Sequence, residues 1–219
     1  MLNYKTVGDV GVIGLDDGKA NAVGHTFVDA VNEGLDAAQK DAKAVLITGR
    51  EGVFSAGFDL KEFEKGADAT NDLVGKGARM LLRIFTRPQP VVIACAGHAV
   101  AAGAFMLLAA DTRLGIKGDF KIGLNETAIG MTLPIFGLEL AACRLSKRHQ
   151  THCVVQGQLV DPDNALDAGF FDTLVSPEQL LDRALNTAQE LSQLPAQAYA
   201  ANKLAVRKQY IEAIQNSLS

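Results

Sequence analysis

Residues 54–60 read Phe54-Ser55-Ala56-Gly57-Phe58-Asp59-Leu60, shortly after an apolar run, Ala44–Thr48, and a turn at Gly49. The apolar run is typical of a strand that is buried on both faces. The small residues at 55–57 let a ligand come close to the main chain, so that backbone N–H groups can act as hydrogen-bond donors. Taken alone, the segment favours an ordinary strand-to-helix connection in which glycine only eases the turn.

The same layout recurs later in the chain. The apolar run Val91–Cys95 predicts a second buried strand, and a loop of small residues follows it, Ala96-Gly97-His98-Ala99-Val100-Ala101-Ala102-Gly103, before an apolar helix that runs to about Ala110. A helix N-terminus has unpaired N–H groups and a partial positive charge. Two such turns can together hold one developing oxyanion, which is what the formation of a thioester enolate requires.

A third segment, Ile122–Met131, contains a lone carboxylate, Glu126, between apolar residues. If this carboxylate is buried beside a substrate, desolvation raises its pKa and suits it to proton transfer. The alternative is a carboxylate that caps a helix or faces solvent.

The composition indicates a globular protein with one main domain. The chain has 219 residues, of which 48% are hydrophobic, and a formal net charge of -4, which gives no reason to expect a nucleic-acid partner. It contains no apolar run of the roughly 20 residues that cross a bilayer, and residues 1–5 lack the layout of a signal peptide. Three widely spaced cysteines without a CxxC motif indicate neither a metal site nor a disulfide framework, so we expect a cytoplasmic, metal-free protein without a membrane partner.

Hydrophobic periodicity predicts an α/β core followed by a helical C-terminal part. Further predicted strands are Val10–Leu15 and Thr112–Ile116, and predicted helices are His25–Gln39, Asn71–Thr86, Pro134–Leu145, Lys147–Gln156, Asp163–Ala168, Pro177–Ser192 and Ala196–Ser217.

The three segments, in this order, resemble the crotonase (enoyl-CoA hydratase/isomerase) superfamily, and the resemblance runs from about Val10 to Val206. It implies an α/β fold, a crotonase-like spiral of ββα units with a helical C-terminal region. We expect a spiral core over residues 1–192 and a shortened C-terminal helical segment over 193–219. The resemblance also implies a homotrimer or a hexamer.

The resemblance implies a site for an acyl-CoA substrate, with coenzyme A entering as part of the thioester and with no prosthetic group. Ala56 and Ala102 are the expected oxyanion donors, with Gly103 as the alternative to the second, and Glu126 is the expected acid/base. The expected contacts with substrate or CoA are Lys19, Ala20, Asn21, Ala22, Ser55, Ala56, Gly57, Phe58, Asp59, Leu60 and Phe105.

The departures from the family pattern bear on the reaction. Hydratases of the family use two glutamates, and the position of the first is occupied here by Phe105, which cannot bind or deprotonate water. The surroundings of Glu126 resemble those of Δ3,Δ2-enoyl-CoA isomerases, which work with a single carboxylate. The favoured function is therefore enoyl-CoA isomerisation. Two alternatives are a hydratase or another thioester-enolate enzyme that uses a second acid such as Glu139, and a non-catalytic acyl-CoA-binding protein, which Ala101 and Ala102 in place of glycines would suit.

Three further residues are predicted to lie outside the chemistry of the site. Lys203 is expected to be a surface lysine rather than a ligand of CoA phosphates, Cys95 is expected to be a small core residue, and His98 is expected to pack or to satisfy its loop.

Overall fold

The computed structural model describes residues 2–218, which form two β-sheets and the helices packed around them. The strands, in chain order, are β1 (Leu2–Val7), β2 (Val10–Leu15), β3 (Ala44–Thr48), β4 (Gly52–Ser55), β5 (Val91–Cys95), β6 (Gly97–Val100), β7 (Thr112–Ile116), β8 (Ile122–Gly123) and β9 (Thr173–Val175). The helices are α1 (His25–Asp41), α2 (Leu60–Phe63), α3 (Ala67–Thr86), α4 (Ala102–Ala109), α5 (Ile135–Arg144), α6 (Lys147–Gln150), α7 (Pro162–Ala168), α8 (Leu180–Ser192) and α9 (Ala196–Ser217).

The chain winds as a spiral between the two sheets. The larger sheet has the order β1-β2-β3-β5-β7-β9 and is parallel apart from the β1–β2 hairpin, whereas the smaller sheet has the order β4-β6-β8 and is entirely parallel. Each pair β3–β4, β5–β6 and β7–β8 places one strand in the larger sheet and the next in the smaller sheet before a helix returns the chain. This repeat is the predicted spiral of ββα units.

The smaller sheet requires a glycine at its centre. A Cβ built on Gly97 would lie 2.0 Å from the carbonyl carbon of Gly52 and 2.4 Å from the nitrogen of Val53. No side chain fits at that distance, so Gly97 lets β6 start directly beside β4.

The core lies on both faces of the larger sheet. Between this sheet, the smaller sheet and helices α1, α3 and α4, buried side chains such as Ile47, Phe54 and Phe85 form one continuous cluster. On the opposite face, α8 covers a second cluster that includes Leu46 and Val92. Side chains alternate between the two faces along each strand, which is why β3 and β5, in the middle of the sheet, are apolar at nearly every position.

Most of the regular elements predicted from the sequence are confirmed within a few residues, and the buried position of Cys95 is confirmed as well. The loop predicted at residues 96–103 is corrected, because Gly97–Val100 forms β6 and Ala102 already begins α4. The helix predicted over Lys147–Gln156 is α6 followed by a wider π-helical turn at Thr151–Val155. In residues 2–218, no helix is both long and apolar enough to cross a bilayer.

Helix α9 is attached to the core by a buried ionic cluster. The carboxylate of Asp111 accepts hydrogen bonds from Lys203 Nζ at 2.7 Å and from Arg207 Nη2 at 2.7 Å, and all three side chains are less than one-tenth exposed. Arg207 also donates to the Phe85 carbonyl at 2.6 Å and lies over the Phe85 ring. The prediction of Lys203 as a surface lysine is therefore wrong, because Lys203 faces a carboxylate that α4 and β7 bring beneath the helix.

We predict that Asp111→Ala lowers the free energy of unfolding by about 3–5 kcal/mol, because it leaves two cations buried without their carboxylate. Urea denaturation measures this change. Lys208→Ala, on the exposed side of the same helix, is the control and should change stability by less than about 0.5 kcal/mol. Equal effects of the two substitutions would contradict a structural role for the cluster.

Candidate active site

Three loops meet at one edge of the smaller sheet. Strands β4, β6 and β8 are parallel and end at Ser55, Val100 and Gly123, so the segments that follow them leave from the same edge. Ala101 continues the pairing beyond β6, since its N–H donates to the Gly123 carbonyl at 2.9 Å. Parallel pairing thus brings the loop after β4, the start of α4 and the loop of Glu126 together.

The loop after β4 lies directly against the start of α4. A Cβ built on Gly57 would lie 3.0 Å from the Ala101 Cβ and 3.6 Å from the Ala102 nitrogen, and one on Gly103 would lie 2.5 Å from the Ser55 carbonyl oxygen. Gly57 also has φ +98°, a conformation that L residues rarely adopt. These two glycines allow the approach, which brings together the two turns predicted as oxyanion sites.

In the first turn, the N–H group that is available to a ligand is not the predicted one. The Ala56 N–H donates to the Ala20 carbonyl at 3.0 Å, so this predicted donor is already engaged within the chain. The Gly57 N–H reaches the hydroxyl of Ser55, and the Asp59 N–H reaches the Val23 carbonyl. The Phe58 N–H has no acceptor among residues 2–218. The structure therefore replaces Ala56 with Phe58 as the candidate donor.

The second turn supports the predicted donor. Ala102 is the first residue of α4, where the N–H has no intrahelical acceptor, and nothing in the described part of the chain accepts its hydrogen. Gly103, the alternative donor, follows it, and its missing side chain is what admits the Ser55 carbonyl. Free N–H groups at a helix N-terminus are suited to a developing negative charge.

Ala101, immediately before this helix, has a strained backbone. Its φ of 50° and ψ of -117° lie in a region in which glycine is strongly preferred. The strain is held by the Ala101 N–H bond to Gly123 and by the bond from the Phe105 N–H to the Ala101 carbonyl at 2.9 Å. These bonds fix the turn that comes immediately before the first N–H groups of α4.

Glu126 lies on the third loop with its carboxyl group buried. The residue is 6% exposed, and its Oε2 atom has no hydrogen-bond partner within residues 2–218. Its backbone is fixed, since its carbonyl accepts from Met131 at 2.8 Å and from Ile129 at 3.1 Å. Burial raises the pKa of the Glu126 carboxyl, and only its own backbone N–H acts in the opposite direction. A buried carboxylate with one unbonded oxygen and a raised pKa is suited to acid/base chemistry.

The position at which hydratases of the resembled family carry their first glutamate is apolar and closed. Phe105 is fully buried in α4, and its ring packs edge-on against Phe136 with 5.5 Å between ring centres. It fills the space left by Gly137 on α5, where a Cβ would lie 2.6 Å from the ring. Phe105 thus belongs to the packed wall behind the α4 N-terminus, and direct contact with a substrate stays a prediction.

The remaining predicted contact residues divide into exposed and buried groups. Lys19, Ala20 and Leu60 are exposed, and the Lys19 carbonyl accepts from Arg50 Nε at 2.9 Å. Asp59 caps α2 by accepting from the Lys61 N–H at 3.0 Å.

Ala22, Phe58 and Asp59 are half-buried, whereas the side chains of Asn21 and Ser55 are fully buried and bonded within the protein. The predicted contact of Asn21 and Ser55 with CoA would therefore have to be made by main-chain atoms beside them, not by their side chains.

An open cleft of about 600 Å³ lies beside residues 15–30 and is acidic. Its carboxylates come from Asp16, Asp17, Glu33, Asp59 and Glu62, and no lysine or arginine of residues 2–218 lines it. Phosphate groups would be repelled there, so we do not place CoA phosphates in this cleft.

His98 behaves as predicted. Its Nδ1 accepts the Lys121 N–H at 2.9 Å, and its ring packs edge-on against Phe120. Glu139, the alternative second acid, is half-buried on α5.

The chain is similar to known proteins both in sequence and in structure. The family model described as enoyl-CoA hydratase/isomerase matches residues 5–219. The crystal structure of an enoyl-CoA hydratase/isomerase family protein from Pseudomonas syringae superposes with a TM-score of 0.96 at 40% identity, covering 99% of this chain and 94% of that chain.

Two curated relatives have different names. A probable enoyl-CoA hydratase from Mycobacterium bovis is 28% identical over 172 residues, which is 78% of this chain and 65% of that protein. The mitochondrial enoyl-CoA delta isomerase 1 of Homo sapiens is 31% identical over 172 residues, which is 77% of this chain and 57% of that protein. The chain thus spans less than two thirds of the length of these two relatives.

We predict that Ala101→Gly stabilises the protein by about 1 kcal/mol, since glycine adopts the strained conformation without cost. Ala102→Gly, one residue later in regular helix, should instead destabilise by about 0.5 kcal/mol. Thermal unfolding of the two variants measures the contrast. Destabilisation by Ala101→Gly as large as that by Ala102→Gly would show that the strained turn is not populated.

We also predict that Glu126→Gln raises the melting temperature at pH 7–8 by roughly 1–4 °C. A carboxyl whose pKa is raised in the folded state stabilises the fold while it is protonated and loses that contribution as pH rises through its folded-state pKa. The advantage of Gln should therefore shrink below the ordinary glutamate pKa of 4.5. Melting curves from pH 4 to 8 test this, with the exposed Glu190→Gln as control; a Glu126→Gln effect that does not change with pH would contradict it.

Proposed function

Because the chain belongs to the enoyl-CoA hydratase/isomerase family, we propose that it converts a Δ3-enoyl-CoA to the Δ2-enoyl-CoA with Glu126 as its single acid/base. The observation that carries this proposal is the buried carboxyl of Glu126 on the same sheet edge as the Phe58 and Ala102 N–H groups. Neither its Oε2 atom nor these two N–H groups have a hydrogen-bond partner among residues 2–218. The fatty-acid or related acyl-CoA thioester is the substrate, and coenzyme A is part of it.

In the proposed reaction, the ionised Glu126 carboxylate removes a proton from C2 of the 3-enoyl thioester. The C–H electron pair moves toward the thioester carbonyl and forms a dienolate, whose oxygen accepts hydrogen bonds from the Phe58 and Ala102 N–H groups. Protonated Glu126 then returns the proton at C4, and the double bond moves to C2–C3. Conjugation with the carbonyl drives the reaction forward, and the carboxylate is regenerated.

In this scheme the two N–H groups provide the largest part of the rate acceleration. A thioester α-proton is too weakly acidic to be lost near neutral pH unless the enolate oxygen is stabilised. Removal of one donor from a comparable oxyanion hole lowers the rate by on the order of 10²–10³. The raised pKa of Glu126 makes it a stronger base once it is ionised.

Phe105 favours isomerisation over hydration. Hydration needs a second group that activates water, and a ring buried against Phe136 supplies none. The same apolar wall helps to keep water from the dienolate. The human relative that is named a delta isomerase is consistent with this choice, although the relative from Mycobacterium bovis is named a probable hydratase.

The proposal is tested with a panel of 3-enoyl-CoA and 2-enoyl-CoA substrates of several chain lengths. We expect the protein to increase the absorbance of the conjugated thioester from the 3-enoyl substrates and to leave the 2-enoyl substrates almost unchanged. Loss of absorbance from the 2-enoyl substrates would support hydration, with Glu139 as the second acid to examine. Binding of acyl-CoA in calorimetry without any turnover would support a non-catalytic protein.

Glu126→Gln should lower kcat by at least about 10³-fold, because Gln cannot accept the C2 proton. In the wild type, kcat/KM should fall at acidic pH as Glu126 becomes protonated, with the midpoint above the ordinary value of 4.5 because burial raises this pKa. Initial rates measured over a range of pH give both effects. The control Glu190→Gln should retain wild-type rates. Full activity of Glu126→Gln would overturn the single-base mechanism.

A further inference from the structure

Two fully buried polar side chains, Asn21 and Ser55, lie behind the proposed oxyanion donor without being part of the reaction above. Asn21 Nδ2 donates to the Leu15 carbonyl at 2.9 Å and to the Phe54 carbonyl at 3.1 Å. Its Oδ1 atom accepts the Asp17 N–H at 2.9 Å. Asn21 therefore joins the end of β2 in the larger sheet to β4 in the smaller sheet.

Ser55 continues this network toward the site. Its hydroxyl donates to the Asn21 carbonyl at 2.7 Å and accepts the Gly57 N–H at 3.3 Å. Asn21 holds φ 49°, a left-handed conformation that asparagine tolerates better than most residues and that sets the direction of this carbonyl. The network thus runs without interruption from Asn21 through Ser55 to Gly57.

The next peptide in the chain carries the proposed donor. The Gly57 carbonyl accepts the Val23 N–H at 2.8 Å. In a trans peptide the N–H points away from the C=O, so the bond to Val23 fixes the direction of the Phe58 N–H. A carbonyl that accepts a hydrogen bond also polarises its peptide, which strengthens the N–H as a donor.

We propose that Asn21 and Ser55 are positioning residues, which hold residues 54–58 so that the Phe58 N–H meets the thioester oxygen. This role rests on the proposed function, since it matters only where an oxyanion develops. Residues 20–23 hold residues 55–59 through hydrogen bonds of their own main chain. The Ala20 carbonyl accepts the Ala56 N–H, and the Asn21 carbonyl accepts the Ser55 hydroxyl. The Val23 N–H donates to the Gly57 carbonyl, and the Val23 carbonyl accepts the Asp59 N–H. Loss of the Ser55 hydroxyl frees the Gly57 N–H, so that only the bond from the Val23 N–H still orients the Phe58 peptide and its N–H is held less firmly.

The test compares Ser55→Ala with Ser192→Ala. Ser192 is also a buried serine, whose hydroxyl donates to the Gln189 carbonyl at 2.6 Å, but it lies on α8, on the far face of the larger sheet. Circular dichroism and thermal melting establish that both variants fold. We expect Ser55→Ala to lower kcat for the 3-enoyl-CoA by roughly tenfold with KM changed less than about twofold, because the donor acts chiefly in the transition state. Ser192→Ala should keep both constants.

A spectroscopic readout separates positioning from folding. Crotonyl-CoA labelled with 13C at the carbonyl should show a lowered C=O stretching frequency when it binds to the wild type, since the two N–H donors polarise the bond. Ser55→Ala should lose about half of this shift, as one of two donors is misdirected, whereas Ser192→Ala should keep all of it. This measurement needs no turnover.

Asn21→Gly is the second variant, to be used if Ser55→Ala does not fold. Glycine accepts φ 49° and removes only the side chain, so the rate and the carbonyl shift should fall as for Ser55→Ala. A full shift and kcat within twofold of wild type in a folded Ser55→Ala or Asn21→Gly would overturn the proposal. An absent shift in the wild type saturated with crotonyl-CoA would also overturn it. A wild type that isomerises no 3-enoyl-CoA, with the shift present and reduced in Ser55→Ala, would instead refute the isomerase assignment and leave the positioning role intact.

Discussion

The parallel pairing of β4, β6 and β8 is the constraint on which the site depends. Each strand is only two to four residues long, and each follows a strand of the larger sheet across a short connection. The larger sheet is held by a continuous apolar core on both faces, so it sets where each short strand begins. Gly97 then permits the backbone contact with Gly52 that closes the smaller sheet. Because the strands are parallel, three loops far apart in the chain leave at one edge.

Several features that destabilise the fold lie at that edge. Within residues 2–218, Ala101 has a strained backbone, the Oε2 atom of Glu126 is buried without a hydrogen-bond partner, and the N–H groups of Phe58 and Ala102 lack acceptors. Each lowers stability somewhat, and each is suited to hold or move charge. The surrounding structure compensates with fully bonded groups, such as the Asn21 and Ser55 network and the Asp111 cluster beneath α9. The concentration of such features at one edge is the physical case for placing the site there.

The sequence predicted which residue types meet at this edge better than it predicted their hydrogen bonding. The structure places the Ala102 N–H and the Glu126 carboxyl at the edge where the sequence predicted a donor and an acid/base, and both roles stay predictions. Phe105 is buried against Phe136, and its contact with a substrate stays a prediction as well. The choice of Ala56 was not supported, because its N–H bonds the carbonyl of Ala20, 36 positions earlier in the chain. No local pattern reveals which N–H in Ala56-Gly57-Phe58 is engaged, since the acceptors come from a segment that only the fold brings near. Lys203 was misassigned for the same reason: its carboxylate partner lies 92 positions away.

The sequence by itself determined the long buried strands, the amphipathic helices and the residue types at the three turns, because hydrophobic period and glycine content act over a few neighbouring residues. The tertiary structure alone decided that Gly97–Val100 is a strand rather than a loop, that the Phe58 N–H rather than the Ala56 N–H lacks an acceptor among residues 2–218, and that Glu126 is buried. Each of these depends on a partner distant in the chain: β4 and β8 for the strand, Ala20 and Val23 for the N–H groups, and the packed environment of the third loop for the carboxylate. Hydrogen-bond pairing and burial are properties of contacts between segments, and a single sequence records the segments without recording which of them meet.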